Sequence, residues 1–232
     1  MPKIKYTMKP RHALPSIIAS LDDDTSTQNS QHLIEICCKA AIAAIKISIP
    51  VDHDKPDAIY YNVFPGEHYK LLAGLLEVIN PKLVIDIGTF TGMSANVMVN
   101  HRPKPIVHTF DIIPFNDFNT HLKSSDFATN EFEQHICDLS NPSLFNQYAH
   151  LIDRSDLIFC DAPKDSVFEY KFLKLLAGMN FTNKNRYLIL DDIRFNNMFE
   201  IWRSIKSPKL DITSIAHWSG TGIVDLSNGF SF

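Results

Sequence analysis

Acids recur where short apolar runs end. Asp86 lies near the end of 83–87, Asp111 follows 106–110, and Asp138 follows 132–137. Asp161 follows 157–160, and the pair Asp191-Asp192 follows 187–190. Carboxylates are costly to gather at one end of a core unless they bind something. Taken singly, each also serves as a helix cap. Asp161, Asp191 and Asp192 are hard oxygen donors, suited to Mg²⁺, Mn²⁺ or Ca²⁺ rather than zinc. Three carboxylates on one divalent ion leave positions for substrate oxygens and water, and such an ion acidifies and orients a bound hydroxyl. Lys164, three residues after Asp161, can reach that hydroxyl. A nearby cation and partial burial are expected to lower its pKa and make it the catalytic base beside Asp161. The simpler readings are an exposed lysine, Asp165 as a helix N-cap, and Asp191-Asp192 as a solvated turn.

The turn 86–92 carries Gly88 and Gly92 around Thr89 and Phe90. Glycine there allows a tight turn and close backbone approach to a ligand. A dinucleotide fingerprint needs Gly-x-Gly-x-x-Gly, and Phe90 fills the place of its middle glycine. A pyrophosphate is poorly served, and a ligand without phosphates fits better. Asp111, at the end of the second run, is placed to take ribose hydroxyls. Ser94 either caps its helix or binds a carboxylate of the ligand. Asp138 either faces a ligand or caps the helix at Asn141. Asp86 is either structural or near the ligand's amino group. His68 and His217 are tempting bases or metal ligands, but a lone histidine is more often a core or surface residue. Trp218, Trp202, Phe195 and Phe168 could wall a substrate pocket, with core packing the simpler reading.

Alternating elements must hold these residues. Apolar runs at 83–87, 106–110, 132–137, 157–160 and 187–190 read as strands. Helical periodicity falls at 67–79, 94–99, 141–152, 165–177 and 196–205. Continuous apolar strands between helices predict a parallel sheet covered on both faces. The strands at 210–216 and 223–226 are joined only by 217–222, which permits a hairpin and not a crossover. The fold class is therefore α/β: a doubly wound, mostly parallel seven-stranded sheet with a C-terminal antiparallel hairpin. Residues 1–64, with five prolines and a polar stretch at 22–31, read as a helical extension that packs on the main domain, as a lid or as a dimer contact. Residues 65–232 form the ligand-binding domain.

The chain has 232 residues, 45% apolar and 21% charged, with 16 Phe and only 8 Gly, which excludes disorder and collagen. A net charge of −4 argues against nucleic acid or an anionic membrane as partner. No apolar run reaches a membrane span, and the N-terminus lacks the pattern of a secretory signal. Cys37, Cys38, Cys137 and Cys160 have no metal spacing and read as free thiols in a reducing, cytoplasmic setting.

The order Asp-x-Gly-x-x-x-Gly, acid after strand two, Asp after strand four and terminal hairpin resembles the class I S-adenosylmethionine-dependent methyltransferases over 66–226. Residues 87–94, Ile-Gly-Thr-Phe-Thr-Gly-Met-Ser, are similar to the first motif of catechol and caffeoyl-CoA O-methyltransferases, with Met93 in place of their aromatic residue. Asp161-Ala162-Pro163-Lys164-Asp165 resembles the Asp-x-x-Lys-Asp of the catechol enzyme, whose Asp binds Mg²⁺ and whose Lys is the base. Asp191-Asp192 stands where those enzymes have Asp-Asn, and resembles the Asp-Asp of macrocin-type sugar O-methyltransferases. The resemblance implies S-adenosylmethionine held by Asp86, Gly88, Thr89, Phe90, Gly92, Ser94, Asp111, Asp138 and Asp161. It further implies Mg²⁺ on Asp161, Asp191 and Asp192, a small-molecule hydroxyl as acceptor, and homodimers in some members. A metal-free O- or N-methyltransferase and a non-catalytic nucleoside-binding protein are the alternatives. Acceptor walls are expected from the N-terminal extension, 115–130 and 195–199.

Overall fold

The computed structural model describes residues 31–181 and 185–232, so the expectations for 1–30 lie outside the described residues. The first helix, α1 (Gln31–Lys46), is followed by α2 (Tyr69–Ile79). The chain then alternates through β1 (Leu83–Ile87), α3 (Met93–Asn100), β2 (Ile106–Asp111), β3 (Phe132–Ile136) and α4 (Pro142–Arg154). It continues through β4 (Leu157–Cys160), α5 (Val167–Ala177), β5 (Tyr187–Asp191) and α6 (Met198–Ser204), and ends with β6 (Lys209–Asp211) and β7 (Thr221–Asp225). The sheet order is β3-β2-β1-β4-β5-β7-β6. The first five strands pair in parallel, and β7 runs antiparallel between β5 and β6. The expected seven-stranded sheet with an antiparallel end is what the chain forms.

The two faces of the sheet follow from side-chain alternation along each strand. Val84, Val107, Phe159 and Ile189 point to the face covered by α1, α2 and α3. Ile85, Phe110, Ile158 and Leu190 point to the opposite face, under α4, α5 and α6. The central strands β1, β4 and β5 are therefore buried on both sides, which gives the continuous runs seen in the sequence, whereas β3 at the edge carries Glu133, Gln134 and His135. All four cysteines are unpaired.

Several boundaries differ from the expected ones. The strand expected at 210–216 stops at Asp211. The Asp211 carboxylate accepts from the Thr213 amide and hydroxyl and from Arg194, so the chain turns there. A 3-10 turn at Thr213–Ile215 follows, and the link between the last strands is longer than expected. The helix expected from 165 begins at Val167, with Asp165 Oδ1 accepting from the Val167 and Phe168 amides, 2.8 Å each. Asp165 thus serves the helix start, as its simpler reading has it. The helix expected from 196 begins at Met198.

Helix α1 packs against α2 with backbones nearly touching. A Cβ added to Gly74 would lie 2.3 Å from the carbonyl oxygen of Ala40. Gly→Ala within a helix ordinarily stabilises by up to about 1 kcal/mol. Here the sign reverses: Gly74→Ala is expected to destabilise by about 1–3 kcal/mol through overpacking. Denaturant unfolding checks this, and a variant as stable as the parent would refute the close contact.

Candidate functional site

The strand order reverses direction between β1 and β4, so a crevice opens beyond their carboxyl ends. Gly88 lies at its floor. Its φ is +100°, and a Cβ there would come 2.2 Å from the backbone oxygen of Asp161. Only glycine lets the turn after β1 pass this close to the end of β4. The Gly88 amide donates to Phe110 O, and the Asp161 amide donates to Ile87 O, which ties three strand ends together.

A cleft of about 690 Å³ occupies this crevice. Gly88, Phe90, Asp111, Asp138, Asp161 and Lys164 all line it. Ile112, Ile113, Phe118 and Phe168 supply apolar walls. Asp111 is fixed by the turn opposite: its carboxylate accepts from Phe90 N at 2.8 Å and from Ile113 N at 3.1 Å. Phe90 sits at φ +43° with its ring exposed and 4.9 Å from that of Phe118, edge on. Asp138 Oδ1 accepts from Ser140 N, while Asn141 caps α4 by itself through the Ser143 and Leu144 amides. The capping alternative for Asp138 therefore falls away, and it faces the cleft.

Asp86, Thr89 and Ser94 are placed differently. Asp86 is fully buried, accepting from Ser94 Oγ at 3.0 Å and Thr109 Oγ1 at 2.6 Å. Thr89 Oγ1 shares a 2.7 Å bond with Thr109 Oγ1. These side chains form a buried polar knot behind the glycine turn and fix its path. Gly92, at φ +79°, starts α3 against Leu122. Ser94 therefore neither caps its helix nor faces the cleft; its hydroxyl orients Asp86.

Burial pushes the Asp86 carboxyl up to about 7, against the bonds from Thr109 and Ser94 that favour its charge. A carboxyl raised on folding contributes stability below its unfolded value, and that stability is lost as pH rises through about 7. Asp86→Asn removes this loss. Its melting temperature is expected to gain on that of the parent steadily from about pH 4 to pH 8. A gap that does not vary with pH would show that Asp86 charges freely.

One end of the cleft opens on a cluster of charge. The Lys164 ammonium bonds Asp161 and lies 2.9 Å from Asp192 Oδ2. Asp191, at the end of β5 and fully buried, accepts from Thr221 Oγ1 at 3.0 Å and His217 Nδ1 at 2.9 Å. Asp192, at φ +58°, bonds Ser219 Oγ. His68 Nδ1 lies 3.4 Å from Asp191 Oδ2, and His217 Nε2 lies 3.6 Å from Glu67 Oε2. Glu67 and His68 reach the cluster because Gly66 bridges to His217, with Gly66 N donating to Ala216 O and Trp218 N to Gly66 O.

Burial opposes charge on Asp191, but His68 and His217 outweigh it and hold the carboxyl below the usual range. Burial likewise disfavours protonation of His217, but its bonds to Asp191 and Asp192 push it up to about 10. The expected lowering of Lys164 does not occur in this arrangement. Burial acts in that direction, yet Asp161, Asp192 and Asp191 outweigh it and hold the ammonium above its ordinary value. The carboxylates that make the site attractive to a cation are occupied by a cation of the chain's own.

These donors fit a metal ion. His68, Asp161 and Asp191 offer ligand atoms within 4.8 Å of one another, as do Asp191, Asp192 and His217. Both of these groups hold Asp191 and take a histidine as third donor, a feature that reading the acids alone missed. Both histidines stood out as tempting ligands; the position of His217 in the terminal hairpin placed it beside the strand ends, whereas nothing in the sequence placed His68 there. Of the four candidate aromatics, Phe168 lines the cleft and Trp202 is buried against Gly222 in the core. Phe195 and Trp218 are exposed.

No family model matches this chain, and no curated protein matches it. Solved structures do. The chain is similar to the methyltransferase PaMTH1 of Podospora anserina, solved with S-adenosylhomocysteine bound, at 14% identity and TM-score 0.51 over 91% of this chain and 99% of that one. It is similar to the O-methyltransferase TomG of Streptomyces achromogenes, solved with S-adenosylmethionine, at 18% identity and TM-score 0.45 over 82% and 89%. It is also similar to the mycinamycin-pathway methyltransferase MycE, solved with Mg, at 13% identity and TM-score 0.37. That match covers 48% of this chain, which spans only 28% of the length of MycE. The likeness to PaMTH1 establishes the fold: a Rossmann-like methyltransferase sheet. No described helix is long and apolar enough to cross a membrane.

Proposed function

We propose that this chain transfers a methyl group from S-adenosylmethionine to a hydroxyl of a small molecule, with a divalent ion at the carboxylate cluster. The observation that carries the reading is one of adjacency. A cleft with Asp111 on one wall meets, through the shared lining residues Asp161 and Lys164, a buried group of acids and histidines. A protein that only held a nucleoside would have no use for a lysine between two carboxylates at the end of its cleft.

In this reading Asp111 takes the ribose hydroxyls, and Gly88 lets the cosubstrate lie against the turn. Asp138 reaches the adenine amine, and Phe90 and Phe168 flank the apolar parts. Asp161, Asp191 and Asp192 hold the ion, which supplies a lowered pKa and a fixed orientation for the acceptor hydroxyl. Lys164 would take the hydroxyl proton as the neutral amine, its own ammonium proton having been released to solvent. The oxygen then forms a bond to the methyl carbon as the carbon–sulfur bond breaks. That bonding pair stays on sulfur, and S-adenosylhomocysteine leaves as a neutral thioether. Much of the acceleration comes from holding two reactants in line.

Calorimetric titration with S-adenosylmethionine tests the first half of the proposal. Binding in the micromolar range is expected, and absence of binding would overturn it. Formation of S-adenosylhomocysteine with a panel of catechols, phenols and sugars tests the second. A chelator is expected to stop turnover while leaving cosubstrate binding intact. Turnover unchanged by the chelator would favour the metal-free alternative.

A further inference from the structure

His68 is the least expected member of the cluster. It is 4% exposed, and among the described residues neither ring nitrogen makes a hydrogen bond, Nδ1 having only Asp191 Oδ2 at 3.4 Å. A buried imidazole left without partners is costly. The ring cannot turn to find one easily, because it is packed 4.2 Å from Tyr69 and 5.2 Å from Phe159, centre to centre. Its backbone is held at the strand ends by the Gly66–His217 bridge next to it. His217 is different: its Nδ1 already has Asp191 and Ser219 Oγ within 2.9 Å.

Resting on the divalent-ion reading above, we propose that His68 is itself a metal ligand. Together with Asp161 and Asp191 it makes a mixed imidazole–carboxylate centre that takes a first-row transition ion, such as Mn²⁺, Fe²⁺, Co²⁺ or Zn²⁺, in preference to Mg²⁺. Two donors each about 2.1 Å from one ion lie roughly 3.0–3.5 Å apart. His68 Nδ1 and Asp191 Oδ2 are 3.4 Å apart, and Asp161 brings an oxygen within 4.8 Å of both. Imidazole favours the later transition ions, whereas Mg²⁺ demands oxygen donors and keeps its waters. His217 is then a positioning residue, its Nδ1 2.9 Å from the same Oδ2 of Asp191, holding that carboxylate as outer partners of metal ligands do. The three donors leave coordination positions open toward the cleft end that Asp161 lines.

The full chain, stripped with a chelator, is titrated with Mn²⁺, Co²⁺, Zn²⁺ and Mg²⁺ against a chromophoric chelator. The transition ions are expected to bind about tenfold or more tightly than Mg²⁺. His68→Ala is expected to lose about 10- to 100-fold in transition-ion affinity and little in Mg²⁺ affinity. A histidine ¹⁵N spectrum of the unmutated chain needs no variant: stoichiometric Zn²⁺ must move the signals of a buried imidazole. Equal affinity for Mg²⁺ and the transition ions, or histidine signals unmoved by Zn²⁺, would overturn the proposal and leave an all-oxygen site or a plain buried His68–Asp191 pair. S-adenosylmethionine titration of the same sample reports separately on the methyltransferase reading, so the two can fail independently.

Discussion

Lys164→Met is expected to lower kcat by about 10²–10⁴-fold, the usual contribution of a positioned general base. Affinity for S-adenosylmethionine should hardly change. Methionine keeps the length and apolar stem of the lysine and removes only the ammonium, which here bonds Asp161 and sits 2.9 Å from Asp192. A second effect has the opposite sign. Without the ammonium, the carboxylates lose a partner that competes with any added cation, so the variant should bind a divalent ion more tightly than the parent. Loss of turnover together with tighter ion binding is the signature of a lysine that alternates between counterion and base. S-adenosylhomocysteine formation with the best acceptor of the panel, and ion titration of the stripped protein, measure the two halves. A fall in kcat smaller than about tenfold would reduce Lys164 to a structural counterion.

The sheet was legible because its residues answer to one constraint at a time. Val84 and Ile85 sit on opposite faces of β1, and both faces are covered, so the strand reads as an unbroken apolar run. The same holds for β4 and β5, whose every residue is buried. The end of the chain was harder. Residues 212–216 are apolar enough for a strand, but Asp211 binds Thr213 and Arg194, and this local bonding bends the chain before β-pairing can continue. Hydrophobic pattern carries no record of such side-chain bonds.

The site divides along the same line. Asp111, Asp138, Asp161 and Lys164 face one cleft because each lies at or just after a strand end, and parallel strands deliver their ends to one edge. Strand position was enough to find them. Asp86 also ends a strand, yet its side chain points into the sheet's covering layer, where Ser94 and Thr109 take it up. The alternation of the pleat separates the two outcomes, and spacing alone does not settle it one residue from a strand end. His68 comes from before α2 and His217 from before β7, and only the bridge at Gly66 brings them together. A contact between segments about 150 residues apart leaves no trace in local sequence. The charge held on Lys164 has a related cause: three carboxylates converge on it from two strand ends.

Asp111→Ala is expected to weaken S-adenosylmethionine binding by roughly 100-fold or more, since bonds from hydroxyls to a charged acceptor are worth about 1.5–3 kcal/mol each and a ribose diol makes two. The carboxylate has a second task, however. It accepts from Phe90 N and Ile113 N and so holds Phe90 at φ +43° on the rim of the cleft. Alanine removes both functions, and a loss of binding alone would not say which mattered. Asp111→Asn separates them. Its amide oxygen can still accept from the Phe90 amide, while the charge and one acceptor are gone. If the ribose bonds dominate, asparagine should keep the melting temperature of the parent and still lose most of the affinity. If the turn dominates, asparagine should bind nearly as the parent does and alanine alone should fail. Calorimetry and thermal melting on the pair decide between them. Parental affinity in both variants would remove the ribose from Asp111 and, with it, the orientation of the cosubstrate on which the placement of its methyl group beside Lys164 depends.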